Sequence, residues 1–349
     1  MRSKLLLIKR DKIGDMILTT PLIRHLREAL PTWDIHVLAN DYNAWVLHGN
    51  PHITTTWVFP RLRHNGKLRF GAVWTYLNTI YQLRRLQFDS VIVGNGSPSH
   101  RAIKLAKWIG GKSTVAYINE KNHDTFISHP LPVPSSGHES LRLLALSQAL
   151  VSTNLPLSTA QLRPEFSPHP TSLEGAQQWL RDNGLKPKKF LLLGLGARRQ
   201  HRQPDAQQVL RWTKSVFDHH GTPTVLVWSP GRRDNPLYPG DDELAEEILR
   251  AGHDYILPCQ NGLNTVVGLA WLAKTSIFPD SGLMHIASAC PGGVIGLFAD
   301  TQNSSSPEIW GPIGQRQAVL VAPNAVSELA DELVLRTIAQ QLVIAAMPL

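Results

Sequence analysis

The sequence predicts an α/β protein of two doubly wound domains, and three observations carry that prediction. Its 349 residues are more than one ordinary hydrophobic core accommodates. Short apolar runs of strand length alternate with segments of helical spacing in both halves. A polar stretch over residues 151–170, with Pro156, Pro164, Pro168 and Pro170, separates the two series. Domains are therefore expected over residues 1–160 and 171–325, followed by a terminal segment, 326–349.

Leu5-Leu6-Leu7-Ile8 is a continuous apolar run, as in a strand buried on both faces. Ile17, Leu18, Leu22, Ile23, Leu26 and Leu30 then recur at helical spacing. Further strands are expected at 35–38, 54–59, 90–93 and 114–117. Helices are expected over 73–86, burying Val73, Leu77, Ile80, Tyr81 and Leu83, and over 100–109, burying Ile103, Leu105, Ala106 and Ile109. After the linker come a helix near 172–183 and a strand at 190–193. Strands at 224–227, 276–278 and 294–298 follow, with a helix at 244–250. Val326, Leu329, Leu333, Ile338 and Leu342 mark a packed terminal helix, with the first domain as its candidate partner.

The composition, 42% hydrophobic, is that of a soluble globular protein, and no stretch approaches the roughly 20 apolar residues a membrane-spanning helix needs. The N-terminal apolar run is too short for a secretory signal, so a cytoplasmic location is expected. Cys259 and Cys290 lack metal-site spacing and read as small buried hydrophobes. The net charge of +8 is one-sided. Residues 1–165 carry 20 basic against 10 acidic side chains, a balance of +10, while residues 166–349 carry −2. The first half should therefore meet something anionic: a nucleic acid, a lipid surface or a phosphorylated substrate.

Three segments could carry chemistry. Ile13-Gly14-Asp15-Met16 lies where the first strand hands over to a helix, at the sheet edge where open α/β folds bind ligands. Asp15 there is either a helix cap or a base on a rigid support. Gly194-Leu195-Gly196-Ala197 follows a buried strand and leads into Arg198, Arg199, His201 and Arg202. It lets backbone amides approach a phosphate, but lacks the third glycine of a dinucleotide fingerprint. In Asp280-Ser281-Gly282-Leu283-Met284-His285 a strand gives way to a helix whose free amides would face an anion, with His285 able to donate to a phosphate oxygen.

Taken together, these segments resemble glycosyltransferase family 9, the ADP-heptose:lipopolysaccharide heptosyltransferases. The likeness is closest at Ile13 to Pro21 and at Asp280 to Ala289, and the element order agrees from about residue 4 to residue 322. The resemblance implies the GT-B architecture, two Rossmann-like domains facing across a cleft, with the acceptor on the first and a nucleotide sugar mainly on the second. It implies Asp15 as catalytic base, and Asp280, Ser281, Gly282, Met284 and His285 on the donor diphosphate. Gly196, Ala197, Arg199 and Arg202 are further donor-side candidates. The region of Asp241, Asp242 and Glu243 is where the family places an acid on the donor ribose, and Asp242 is taken as its representative.

Acceptor-side candidates are Gly14, with Arg61, Arg63 and Lys67 in a polar connection, and Arg101 and Lys104 on one helix face. One departure stands out. Many members carry a lysine, a variable residue and Trp-Pro beyond the glycine loop, where this chain reads His201-Arg202-Gln203-Pro204. With the Thr19-Thr20-Pro21 run, it leans towards an enzyme acting on an already extended core. No cofactor or metal is expected, and the sequence contains no Asp-x-Asp to hold one. Expected partners are a nucleotide sugar, an anionic lipopolysaccharide core and the cytoplasmic face of the inner membrane. A basic nucleic-acid-binding module would also account for the charge, with Trp57, Phe59 and Phe70 flanking residues 61–69, but leaves the second domain's anion loops without a role.

Overall fold

The computed structural model describes residues 2–64, 67–119, 125–151, 160–235, 239–299 and 306–345, without the side chains of residues 63, 64, 67, 68 and 70. The chain divides into two compact units, Met1–Ser167 and Pro168–Leu349.

The first unit runs β1 (Lys4–Ile8), α1 (Ile13–Ile17), α2 (Thr20–Ala29), β2 (Asp34–Asn40), β3 (Thr55–Phe59), a hairpin of β4 (Arg63–His64) and β5 (Lys67–Leu68), α3 (Phe70–Arg85), β6 (Ser90–Val93), α4 (His100–Ile109), β7 (Ser113–Ile118), β8 (His129–Pro132) and α5 (Glu139–Ala145). Its parallel sheet has the order β3-β2-β1-β6-β7-β8. Leu5, Leu6, Leu7 and Ile8 are fully buried, as expected of a central strand covered on both faces. The unit extends past residue 160 because Glu165 is anchored three ways. It pairs with Arg24 at 2.8 Å and with His52 at 3.0 Å, and its N–H donates to Thr20 Oγ1 at 2.8 Å.

The second unit runs α6 (Pro170–Asp182), β9 (Leu191–Gly194), α7 (Ala206–His220), β10 (Thr224–Val227), α8 (Asp242–Leu249), β11 (Ile256–Pro258), α9 (Gly262–Leu272), β12 (Thr275–Pro279), α10 (Gly282–Ser288), β13 (Val294–Ala299), α11 (Pro307–Trp310), β14 (Gln317–Ala322) and α12 (Asp331–Ile344). Its parallel sheet repeats the pattern, β11-β10-β9-β12-β13-β14. In both sheets the strand order reverses beside the first strand of the unit, at β1/β6 and β9/β12. Such a switch point leaves a crevice at the carboxyl ends of the two diverging strands, where open α/β sheets bind ligands.

Several expectations change. The helix expected from residue 17 is two helices, because Thr19 Oγ1 donates to the Asp15 carbonyl at 2.7 Å and Pro21 starts the second. The Thr-Thr-Pro run therefore has a local structural task. Of the face expected to be buried on α3, Leu83 is buried and Val73 and Ile80 are partly so, but Leu77 and Tyr81 face solvent. The terminal helix α12 does not need the first domain to bury its apolar face. Val334, Ile338 and Leu342 join the second unit's core, and Trp212 of α7 donates from Nε1 to Asp331 Oδ1 at 2.7 Å. Cys259 and Cys290 are free and buried, with the Cys290 thiol pushed up to about 12 by burial. Among the described residues no helix is long and apolar enough to cross a membrane.

Gly194 closes β9 against the Phe278 ring of β12, and a Cβ there would run into that ring. Its small size thus serves packing rather than ligand approach. Gly194→Ala is expected to cost about 1–3 kcal/mol through overpacking. Chemical denaturation measures this, and an unchanged midpoint would show that Phe278 can move aside.

Candidate functional site

In the first unit the switch-point crevice is lined by the loop after β1 and the loop after β6. Lys9 continues the buried strand and is itself fully buried, its Nζ 3.0 Å from Asp11 Oδ2. A buried ammonium requires such a partner. Asp11 Oδ2 also accepts from Asn95 Nδ2 at 2.6 Å, which ties the β1 loop to the β6 loop. Asn40, at the end of β2, donates from Nδ2 to the Arg10 carbonyl at 2.6 Å, and Asn43 Nδ2 donates to the Asp11 carbonyl at 3.1 Å. The segment leading to Asp15 is thereby fixed from three directions.

Asp15 lies in the first turn of α1 beside buried Gly14. Its Oδ2 accepts the Lys12 N–H at 3.2 Å, so the helix-cap reading is correct as far as it goes. Burial raises the carboxyl above its ordinary value of 3.8; the Lys9 charge pulls it back down and Asp11 pushes it further up. Asp15 is thus a carboxylate on a rigid support with increased proton affinity, as a general base requires.

Glu139 carries no local signal in the sequence. It opens α5, is buried, and accepts the Gly96 N–H at Oε1 over 3.1 Å. A Cβ at Gly96 would run into this carboxylate, so the glycine is what lets Glu139 in. The next residue, Ser140, donates from Oγ to the carbonyl of Leu18 at the end of α1, 3.1 Å. Burial raises Glu139 above its ordinary value of 4.5; Lys9 lowers it and Asp15 raises it. Lys9 therefore sits in the field of three carboxylates.

A stability test follows. Glu139→Gln keeps the acceptor for Gly96 and removes a charge that burial disfavours. A carboxyl with a raised folded value stabilises fully below its unfolded value and loses that contribution as pH rises through the folded one. The variant is expected to gain melting temperature relative to wild type between about pH 4 and neutrality. Paired thermal melts measure it, and a constant gap across that range contradicts the burial of a charged Glu139.

In the second unit the crevice lies between the loops after β9 and β12. Ser281 caps α10, its Oγ accepting the Met284 N–H at 3.4 Å. Asp280 Oδ2 is 2.6 Å from Arg202 Nη1, and both side chains are largely buried. Arg202, one residue beyond His201 at the family's lysine position, is therefore joined to the Asp-Ser-Gly segment. Gly196 faces Ser229, and Ala197 is buried at the same loop; Arg199 is exposed. Met284 does not present its side chain to a ligand: it is fully buried, with its sulfur against Gly296. His285 is buried in the same helix.

The three acids at the start of α8 separate cleanly. Asp242 Oδ1 accepts from Trp228 Nε1 and its Oδ2 from the Gly231 N–H, both at 2.8 Å, so this carboxylate holds its own loop. Glu243 accepts the Arg233 N–H at 3.3 Å. Asp241 is the buried one, taking Gln203 Nε2 at 2.5 Å and the Ser229 N–H at 3.2 Å, and burial raises its proton affinity. Asp241, rather than Asp242, stands next to the glycine loop. An open cavity of about 610 Å³, lined by Gln200, Gln203, Asp205, Arg233 and Glu247, adjoins this network but includes none of Gly196, Asp280 or Ser281 in its wall.

The acceptor-side cations are dispersed. Arg61 Nε and Arg69 Nη1 converge on Asp41, at 2.7 and 3.3 Å, and the Arg61 guanidinium lies 4.9 Å from the centre of the Tyr42 ring. The side chains of Arg63 and Lys67 fall outside the described residues. Arg101 opens α4 at the crevice end, its carbonyl accepting from Arg10 Nη1 at 3.4 Å. Lys104 lies about 4.5 Å further along the helix axis, away from that end.

Comparison with known proteins bears on this geometry. The family model for glycosyltransferase family 9 (heptosyltransferase) matches residues 77–332. A glycosyl transferase family 9 structure from Veillonella parvula is similar over 98% of both chains, with TM-score 0.81 and 18% identity. E. coli ADP-heptose LPS heptosyltransferase II is similar over 99% of this chain and 100% of its own, with TM-score 0.75 and 18% identity. An E. coli heptosyltransferase solved with ADP covers 97% of this chain and 99% of its own, with TM-score 0.72 and 16% identity. No curated protein matches in sequence.

Proposed function

Since this chain belongs to glycosyltransferase family 9, the heptosyltransferase family, and has the GT-B type of fold, we propose that it moves a heptose from ADP-heptose onto an anionic lipopolysaccharide core, with inversion and without a metal. The observation that carries this reading is Asp15, a carboxylate of raised proton affinity fixed at the first unit's switch point.

Asp15 removes the proton from an acceptor hydroxyl as that oxygen attacks the anomeric carbon. The bond from that carbon to the diphosphate oxygen breaks on the opposite face, and ADP leaves with the electron pair. The transition state has oxocarbenium character. The departing diphosphate is received by the amides around Ser281 and Gly282, with Arg202 supplying the charge that many relatives draw from lysine. Because the Met284 side chain is buried, this residue contributes through its backbone. Asp241, beside the glycine loop at Gly196, is a better candidate for the donor ribose than Asp242, which holds its own loop.

On the first unit, Arg61 and Arg101 attract the phosphates and carboxylates of the core. The Arg61–Asp41 pair is partly exposed, so an incoming anion displaces it at small cost. The loss of the family's lysine, replaced here by His201, keeps a second reading open, that the nucleotide sugar is another one. ADP release from a panel of nucleotide sugars with truncated lipopolysaccharide acceptors, with and without EDTA, tests both. The expected result is ADP-heptose turnover insensitive to EDTA; turnover of another donor alone, or its loss in EDTA, overturns the proposal.

A further inference from the structure

We propose that the outward face of α3, with the adjoining end of α4, is a docking surface for an anionic phospholipid bilayer. Trp74, Leu77 and Tyr81 are 76%, 53% and 59% exposed. Their spacing of three and four residues puts them on one stripe of α3, opposite the buried Ala72, Thr79 and Leu83. Trp108, 43% exposed on α4, adds a fourth large apolar group. Arg84 of α3 joins the two helices, donating from Nη1 to the Trp108 carbonyl at 2.9 Å. Scattered exposed apolar side chains need no explanation, but three at helical spacing on one face do.

The charge around this stripe identifies the partner. Arg84, Arg85, Lys104 and Lys107 border it, and neither helix contains an acidic residue. Two cations lie against the aromatic rings themselves: the Arg85 guanidinium is 5.9 Å from the Tyr81 ring centre, and Lys104 Nζ is 5.1 Å from that of Trp108. Trp and Tyr beside Lys and Arg is the chemistry of a surface that lies in a lipid headgroup layer. Aromatic bodies enter the acyl boundary while the cations remain among phosphates. The concentration of the chain's basic surplus in residues 1–165 adds long-range attraction to the same partner.

Flotation of the full chain with phosphatidylcholine vesicles, alone or with about one third phosphatidylglycerol, tests the proposal. The wild type is expected to float with the anionic vesicles and to be released by salt. The variant Trp74→Ser/Leu77→Ser/Tyr81→Ser should lose at least about tenfold in partitioning, and Lys104→Glu/Lys107→Glu should lose a comparable amount on anionic vesicles. These side chains are exposed, so unchanged circular dichroism and melting temperature separate lost binding from lost folding. Flotation independent of phosphatidylglycerol, or a serine variant within about twofold of wild type, overturns the proposal. So does a wild-type dimer that the serine variant converts to monomer, since a second copy would then be what covers the stripe. The test needs no catalytic turnover and stands apart from the assignment of donor and acceptor.

Discussion

Asp15→Asn is expected to lower turnover by about 10²–10⁴-fold, the range of a lost general base. The amide keeps the shape of the side chain and an oxygen to accept the Lys12 N–H, so the fold of α1 should survive. Donor affinity, a property of the second unit in this account, should stay within about threefold, because the substitution removes proton transfer and not a donor contact. The wild-type pH profile supplies an independent check. With burial holding the Asp15 carboxyl above 3.8, kcat/KM should fall with acid at a pH above the ordinary aspartate range. An Asp15→Asn enzyme within a few-fold of wild type would assign the proton to another group.

Arg202→Met has the largest expected effect on stability. It leaves Asp280 buried without the guanidinium at 2.6 Å, and removing one member of a buried ion pair costs about 3–5 kcal/mol. For a unit of this size that is roughly a 10 °C loss in the melting transition. Donor KM should rise as well, since the same cation is the one proposed to receive the diphosphate. Arg202→Lys separates the two tasks: a point charge remains but the planar fork that grips Asp280 is lost. It is expected to recover most of the donor KM and only part of the stability, as measured by melting curves and ADP-release kinetics on the same preparations. Full stability in Arg202→Met would mean that the Asp280 carboxylate is held by its other neighbours.

The fold and half of the candidate site are legible in the sequence because both depend on local pattern. Continuous apolar runs announce the central strands, and Asp15 and Ser281 stand next to the ends of two of them. Strands β8 and β14 escape because they are edges: β8 contains two prolines, and Val319 and Val321 of β14 face solvent. Glu139 escapes because its meaning is entirely long-range. Only the approach of Gly96, 43 positions earlier, makes it a buried carboxylate beside Lys9. Lys9 did leave a trace, as a charge directly continuing a buried strand. On α3 the helical period is correct, but periodicity cannot say which of two adjacent apolar faces turns inward. Leu77 and Tyr81 lie on the outer one. Gly194 shows the converse error, a glycine whose motif suggests a ligand and whose neighbour is Phe278.

Inverting heptosyl transfer with Asp15 as the base fixes the stereochemistry of the product. Proton NMR of the anomeric signals during turnover of ADP-heptose with a lipopolysaccharide-core acceptor reads that stereochemistry. The expected product has the anomeric configuration opposite to the donor's, formed by wild type and lost in Asp15→Asn. A product that retains the donor configuration, or one formed at comparable rate by Asp15→Asn, would contradict this mechanism.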